Sequence, residues 1–291
     1  LASGYTAVFH EHEQWWKDFN ATSSISIPDP ELQAHYDLCR YYYGAASRTG
    51  APPMPLQGVW TADEGGLPPW KGDYHNDLNT QMTYLAYPAA GLYDSGQSFL
   101  DFNWSLLPRY QQFARSFYDV SGAAIPGVMG LDGSPLGGWG MYSLSPTMGA
   151  WVAQAFYLHW RYTMDDKFLK ERAYPFCAAI GQTLAELAKP DANGKLKLPL
   201  SSSPEIFDNS FRAWLKPNSN FDLSLMKWLF GALEEMATAA ELPDRARTWR
   251  RLISSLDPLD TDGPSGPLTF AQGEPYTQSH RHFSHLMAIH P

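Results

Sequence analysis

Segments with apolar residues at the three- and four-residue spacing of an α-helix recur along this chain, whereas strand patterns are scarce. These segments span 31–46, 79–93, 97–118, 146–163, 166–189, 221–241 and 243–256. The last two are joined by a tight Leu-Pro-Asp turn, as in an αα-hairpin. Long connections rich in Gly, Pro and Trp lie between the hairpins, at 50–74, 121–145, 190–219 and 257–279. Short turns on one side and long loops on the other predict an all-α toroid of helical hairpins, with its site on the long-loop face.

Local signals fix some of the helix ends. Asp29 is a good N-cap, because Pro30 follows at the first helical position and Glu31 places negative charge in the first turn. Pro88 is expected to bend the helix over 79–93. The best strand candidate is KLKL at 195–198, which follows an Asn-Gly turn.

Charge and composition argue against several classes of protein. With 291 residues, a formal charge of −9 and a pI near 5.4, the chain is expected to bind neither nucleic acid nor anionic lipid. It has no apolar run of membrane-spanning length. Cys39 and Cys177, the two cysteines, are expected to be buried thiols in helices. Residues 1–28 are expected to be a lead-in segment, and 1–291 to be part of one catalytic domain.

The stretch KGDYHNDLNTQMTY at 71–84 concentrates polar side chains in front of a helix. If the backbone is extended there, His75, Asp77 and Asn79 point to the same side, where they could hold a water molecule. The alternative is local, with Asn79 capping the helix and Asp77 accepting bonds from backbone amides. The sequence leaves both interpretations open.

Two further polar motifs lie in or beside long connections. Glu205 follows a Ser-rich turn, and among aromatic side chains desolvation would raise its pKa and suit it to general acid catalysis; otherwise it is a solvated loop residue. The segment 278–286 contains three histidines, but Arg281 among them would repel a cation, so no metal is expected. Arg281 and His282 could instead bind a polyhydroxylated ligand, or the segment could be a packed helix start.

Taken in order, these stretches resemble the catalytic domain of glycoside hydrolase family 95, the inverting α-L-fucosidases and α-L-galactosidases. The resemblance is carried by HEQWWKDF (12–19), PLQGVW (55–60), PPW (68–70), YHNDLNTQMTY (74–84), MGAW (148–151), SSSPE (201–205) and HRHFSHL (280–286). It implies an (α/α)₆ toroid whose mouth holds a terminal sugar. No cofactor is implied, and the expected partner is a glycan substrate.

The resemblance also implies roles for individual residues. Glu205 falls on the general acid, and Asp77 and Asn79 fall on two asparagines that orient the attacking water. The residues expected to contact the sugar are His75, Trp60, Trp70, Tyr74, Arg281 and His282. In an inverting enzyme the acid and base carboxylates are separated by about 6.5–9.5 Å.

This chain departs from the family pattern in two ways. Asp77 stands where the family has asparagine, and a carboxylate can act directly as a base, or the change could alter which sugar is accepted. The family also has a later catalytic Asp that is absent from these 291 residues, and about eight helices are expected against the twelve of the toroid. A fragment, or a barrel completed by another segment, is therefore expected.

Two alternatives stay open at this stage. One is a different carbohydrate-active enzyme on the same toroid, with another sugar specificity. The other is a carbohydrate-binding module without catalysis, in which Glu205 would be exposed outside any pocket. An extracellular or periplasmic location is expected from the family resemblance alone, and the sequence predicts no oligomeric state.

Overall fold

The computed structural model describes residues 4–58, 66, 70, 72–137, 145–277, 279–280 and 282–290, and these residues are mainly helical. Their α-helices are α1 Gly4–Ala21, α2 Pro30–Ala46, α3 Asn79–Leu85, α4 Tyr93–Ser105, α5 Leu107–Phe113, α6 Met148–Thr163, α7 Asp166–Phe168, α8 Tyr174–Leu187, α9 Asn220–Ala239 and α10 Pro243–Ser254. The all-α class predicted from the periodicity is confirmed. No helix in the described part of the chain is both long and apolar enough to cross a bilayer.

Two antiparallel strand pairs supplement the helices. Strand β1 (Tyr74–His75) pairs with β2 (Val128–Met129), and β3 (Lys189–Pro190) pairs with β4 (Leu196–Lys197). The predicted KLKL strand is thus confirmed in its central residues. The β1–β2 pair matters for the site, because it ties two of the long connections together.

Helix α2 shows how local chemistry sets a boundary. Oδ1 of Asp29 accepts hydrogen bonds from the backbone amides of Glu31 and Leu32, at 2.9 and 3.2 Å, which confirms the predicted N-cap. Cys39 on this helix is exposed, so the expectation that both thiols are buried is wrong for Cys39 and right for Cys177. Full burial on helix α2 is confined to its C-terminal part, from Arg40 to Ala46, and position 39 lies just before that part.

The predicted hairpin of α9 and α10 is confirmed. Helix α9 begins after the N-cap Ser219, whose side chain accepts from the amide of Asp222. The connecting turn places Glu241 in the left-handed region at φ 61°, and Pro243 begins α10. The aromatic ring of Phe230 on α9 stacks on Trp249 of α10, with centroids 5.8 Å apart.

The predicted helix over 79–93 is wrong, since α3 ends at Leu85 and a new helix begins at Tyr93. Pro88 lacks an amide hydrogen and disfavours the helical conformation of the residue before it, so it ends the helix here and does not merely bend it. Gly91 then takes a φ of 70°, which lets the chain turn. The prediction for 97–118 likewise merges α4, α5 and a π-helical turn at Ala114–Tyr118.

The core lies among α6, α8 and α9. Phe156 of α6 and Phe176 of α8 stack with centroids 4.0 Å apart, and both side chains are fully buried. Gly181 lets α8 approach α9 closely, because a Cβ atom there would lie 2.5 Å from Leu233 Cδ1. This packing holds the helix ends from which the long connections depart.

Candidate active site

Three segments that are far apart in sequence meet at one group of ionisable side chains. Nε2 of His282 lies 2.9 Å from Oε2 of Glu205. Asp77 is close enough to His282, His75 and Glu205 for their charges to shift its pKa. We call these four residues the carboxylate cluster. The structure thus brings together the 75–79, 201–205 and 280–286 segments.

The strand pair and a tight turn position the first of these segments. The backbone amide of Asn76 donates to Gly127 O at 2.7 Å, and its side-chain amide donates to Pro126 O at 2.9 Å. The Gln81 amide donates back to Asn76 O at 2.6 Å. The interpretation with an extended row from His75 to Asn79 is therefore wrong, because the strand ends at His75 and these bonds fold residues 76–78 into a turn.

A buried acid–imidazole contact holds His75. Its Nε2 atom lies 3.0 Å from Oδ1 of Asp73, although the two groups are not aligned as a hydrogen bond. The Trp70 ring meets the His75 ring edge-on, with centroids 5.7 Å apart, and the Trp70 side chain is exposed. Trp70 therefore offers an aromatic surface beside the cluster, where a sugar ring could pack.

Asp77 is the most deeply buried acid of the cluster, with 2% of its surface exposed. Burial raises the pKa of Asp77; the nearby His282 and His75 oppose that rise, and repulsion from Glu205 adds to it. Its Oδ1 atom has no hydrogen-bond partner among the described residues. A buried carboxylate oxygen of this kind is suited to accept a proton or a hydrogen bond from a bound molecule.

Asn79 is the first residue of α3 and is half-buried. The N-cap is Leu78, and no side chain makes a capping hydrogen bond there. The alternative in which Asn79 caps this helix is therefore wrong. Asn79 follows Asp77 by two residues. It comes directly after the turn at 76–78, which the hydrogen bond from Gln81 to Asn76 O closes.

Glu205 projects from a tightly held loop. Its backbone is in the left-handed region at φ 55°, and 23% of its side chain is exposed. The preceding Ser203 shares a hydroxyl–hydroxyl hydrogen bond with Ser284, which joins this loop to the segment that bears His282. Glu205 is thus partly shielded and lies within the cluster, in contrast to an isolated, fully solvated loop residue.

Asp222 is a functional candidate that the sequence analysis missed. It lies in the first turn of α9, is fully buried, and accepts hydrogen bonds from Thr147, Ser201 and Ser219. The signal that could have found it is Ser219-x-x-Asp222, which resembles a capping box before an apolar helix. Burial raises the pKa of Asp222, and these hydrogen bonds oppose the rise.

The three histidines of 280–285 are buried and occupy different surroundings. Burial lowers the pKa of His280 and of His285. His285 packs on Tyr276 with ring centroids 4.4 Å apart, whereas His282 faces Glu205. Within the described ranges no group of three or more His, Cys, Asp or Glu has the arrangement to hold a metal ion.

Two of the predicted sugar contacts, Trp60 and Arg281, lie outside the described residues. Tyr74 lies in the core: its side chain is 2% exposed, packs on Phe102, and its hydroxyl donates to Pro53 O at 2.8 Å. We therefore assign Tyr74 to packing, in contrast to the expectation that it contacts the sugar.

The position of Tyr74 predicts the effect of removing its hydroxyl. Tyr74→Phe should lower the free energy of unfolding by about 0.5–1.5 kcal/mol, through loss of the bond to Pro53 O. The affinity for a monosaccharide should not change. Chemical denaturation and calorimetric titration check both statements, with Tyr162→Phe on the exposed end of α6 as the control. Weaker monosaccharide binding with an unchanged free energy of unfolding would show that Tyr74 contacts the sugar.

Comparison with known families decides which family the chain belongs to. The model of the glycosyl hydrolase family 95 catalytic domain matches residues 10–291. The chain belongs to this family. The resemblance drawn from its motifs is thereby confirmed.

Individual relatives of this family 95 chain agree with that assignment. Alpha-L-fucosidase 2 of Arabidopsis thaliana is 28% identical over 90% of the chain, which covers 32% of that protein. Probable alpha-fucosidase A of Aspergillus niger is 31% identical over 63% of the chain, which covers 24% of that protein. The chain thus spans about a third or less of the length of these relatives.

A solved structure shows the fold independently. A human-microbiome protein described as a kojibiose phosphorylase superposes with a TM-score of 0.59 at 14% identity. The match covers 77% of this chain and 31% of that protein. At this identity the likeness concerns the fold alone, and it agrees with the (α/α)₆ architecture expected for family 95.

Proposed function

We propose that this family 95 domain serves an exo-glycosidase that removes a terminal α-L-fucosyl or α-L-galactosyl-type residue from a glycan, with inversion at the anomeric carbon. The observation that carries the proposal is the convergence of Asp77 with the Glu205–His282 pair, from segments more than a hundred residues apart in sequence. The fucosidase names of the relatives support the choice of sugar.

Glu205 is the proton donor in this proposal. The oxygen of a glycosidic bond is a poor leaving group unless it is protonated as the bond breaks. Glu205 is half-buried at the cluster, and the contact with His282 Nε2 orients its carboxyl group. An oriented and partly desolvated carboxylic acid has the chemistry required for this step.

Asp77, together with Asn79, directs the attacking water. The orphan Oδ1 of Asp77 can accept a proton from a water molecule, and the Asn79 amide can help to orient that water. The raised pKa of Asp77 makes it a stronger base than an ordinary aspartate once it is ionised. The carboxylate separation of about 6.5–9.5 Å that inversion requires stays a prediction.

Sugar recognition falls to the residues around these two acids. His75 and His282 carry ring nitrogens suited to hydroxyl groups, and exposed Trp70 offers a flat apolar surface for a sugar ring. Arg281, adjacent to His282 in sequence, completes the proposed set. A phosphorolytic reaction is disfavoured, because Asp77 would repel a phosphate nucleophile.

The stereochemistry of the first product tests the proposal. The full-length protein should release β-L-fucose first from an aryl α-L-fucoside, as seen by proton NMR of the anomeric signal before mutarotation. The α-anomer appearing first would contradict inversion. Tight fucose binding without turnover of any aryl α-L-fucoside or α-L-galactoside would replace the enzyme with a carbohydrate-binding module.

A further inference from the structure

We infer that Asp222 is a positioning residue that holds the Glu205 loop in the geometry required for proton donation. The inference rests on the proposed role of Glu205. Asp222 touches none of the four residues of the carboxylate cluster among its hydrogen bonds, so it would act through the loop that carries Glu205.

The Asp222 carboxylate joins three structural elements. Its Oδ1 accepts from Thr147 Oγ1, at the N-cap of α6, at 2.6 Å. Its Oδ2 accepts from the hydroxyl of Ser201, in the loop, and lies 3.0 Å from Ser219 Oγ, at the N-cap of α9. The acid is 0% exposed. One buried group thus fixes the loop against the ends of two core helices.

Each serine before Glu205 is an anchor of this loop. Ser201 Oγ also accepts from the amide of Ser219 at 2.7 Å, and Ser202 O lies 2.9 Å from Ser219 Oγ. Ser203 bonds to Ser284, two residues after His282. The Ser-rich turn is therefore fixed to neighbouring elements at each of its three serines. Asp222 accepts the hydrogen bond of Ser201, which is the serine farthest from Glu205.

The backbone of Glu205 explains why such tethering is needed. A non-glycine residue in the left-handed region at φ 55° is strained, and it keeps that conformation only when its surroundings impose it. A buried carboxylate is also costly in a purely structural role, since apolar packing of similar volume is often as stable. Burial of the Asp222 carboxylate is explained if its role is to place the Glu205 loop precisely.

The test compares aryl α-L-fucosides with good and poor leaving groups. In the full-length protein, Asp222→Asn should lower kcat/KM for a phenyl fucoside by about 10- to 100-fold, the scale expected when a catalytic group is misplaced. The loss on a dinitrophenyl fucoside, which needs little protonation, should be much smaller. Thr147→Val removes a bond from the same carboxylate on the α6 side and should affect both substrates equally.

Equal losses of Asp222→Asn on both substrates would overturn the inference. Ser201→Ala removes the loop-side hydroxyl that donates to Asp222, and with it the acceptor of the Ser219 amide. It supplies the same comparison should Asp222→Asn lower stability too far, as judged by circular dichroism. Glu205→Gln is measured alongside. If only Glu205→Gln loses more kcat/KM on the phenyl fucoside than on the dinitrophenyl fucoside, Asp222 is rejected as a positioning residue. If Glu205→Gln itself shows no such difference, the proposed function is rejected.

Discussion

Glu205→Gln is expected to lower kcat on a phenyl α-L-fucoside by about 10²–10⁴-fold, which is the usual contribution of general acid catalysis. Glutamine keeps the size of the side chain and its contact with His282, but its amide has no acidic proton to transfer to the leaving group. A dinitrophenolate leaves without protonation, so its fucoside should be cleaved at nearly the wild-type rate. The slope of log kcat/KM against the pKa of the leaving phenol should therefore become steeper.

A surface glutamate provides the matched control for this change. Glu171→Gln removes the same charge from an exposed position in the turn between α7 and α8 and should leave both rates unchanged. Full activity of Glu205→Gln on both substrates would remove Glu205 as the acid. A uniform loss on both would instead indicate damage to the site as a whole.

Most helices could be predicted because their signals are local. The Asp29 cap and the apolar spacing of α6, α9 and α10 depend on residues within a few positions of each other. The break between α3 and α4 was missed, since periodicity alone continues past Pro88. Helix α1 was not predicted from the sequence; none of its residues is fully buried, although Phe19 packs against the main core from a partly buried position.

Only those site residues could be predicted whose type and position in the sequence are themselves unusual. Asp77, Glu205 and His282 stand out in sequence as polar groups in or beside long connections, and the structure brings them together. Asp73 and Asp222 did not stand out. Their importance comes from partners fixed by tertiary structure, such as the contact of Asp222 with Thr147, which is 75 residues away. Hydrogen bonds of that range leave no local pattern.

Asp77→Asn provides the sharpest test of the base, because it restores the residue type expected from the family pattern at this position. If the Asp77 carboxylate takes the proton of the attacking water, the amide cannot replace it. The variant should then lose about 10²–10⁴-fold in kcat on good and poor leaving groups alike. Asp262→Asn, at an exposed loop position, is the control for the same chemical change.

The pH dependence gives this test a second readout. Asp77 must be ionised to act as a base, and burial raises its pKa, so wild-type kcat/KM should fall as the pH drops through a value above the ordinary range of aspartate. The stability changes in the opposite direction. Because the folded pKa exceeds the unfolded one, the stability that Asp77 contributes is present below the unfolded pKa and is lost as pH rises through the folded pKa.

Asp77→Asn should therefore be less active than the wild type and, at neutral pH, more resistant to unfolding. Thermal unfolding of both proteins across this pH range measures the second effect, and the difference in melting temperature should shrink as the pH falls. A variant that is as active as the wild type, with an unshifted acidic limb, would place the base on another residue. Asp77 would then only orient the water, which is the role that the family resemblance implies for an asparagine at this position. The stability gain alone would remain as evidence of its buried charge.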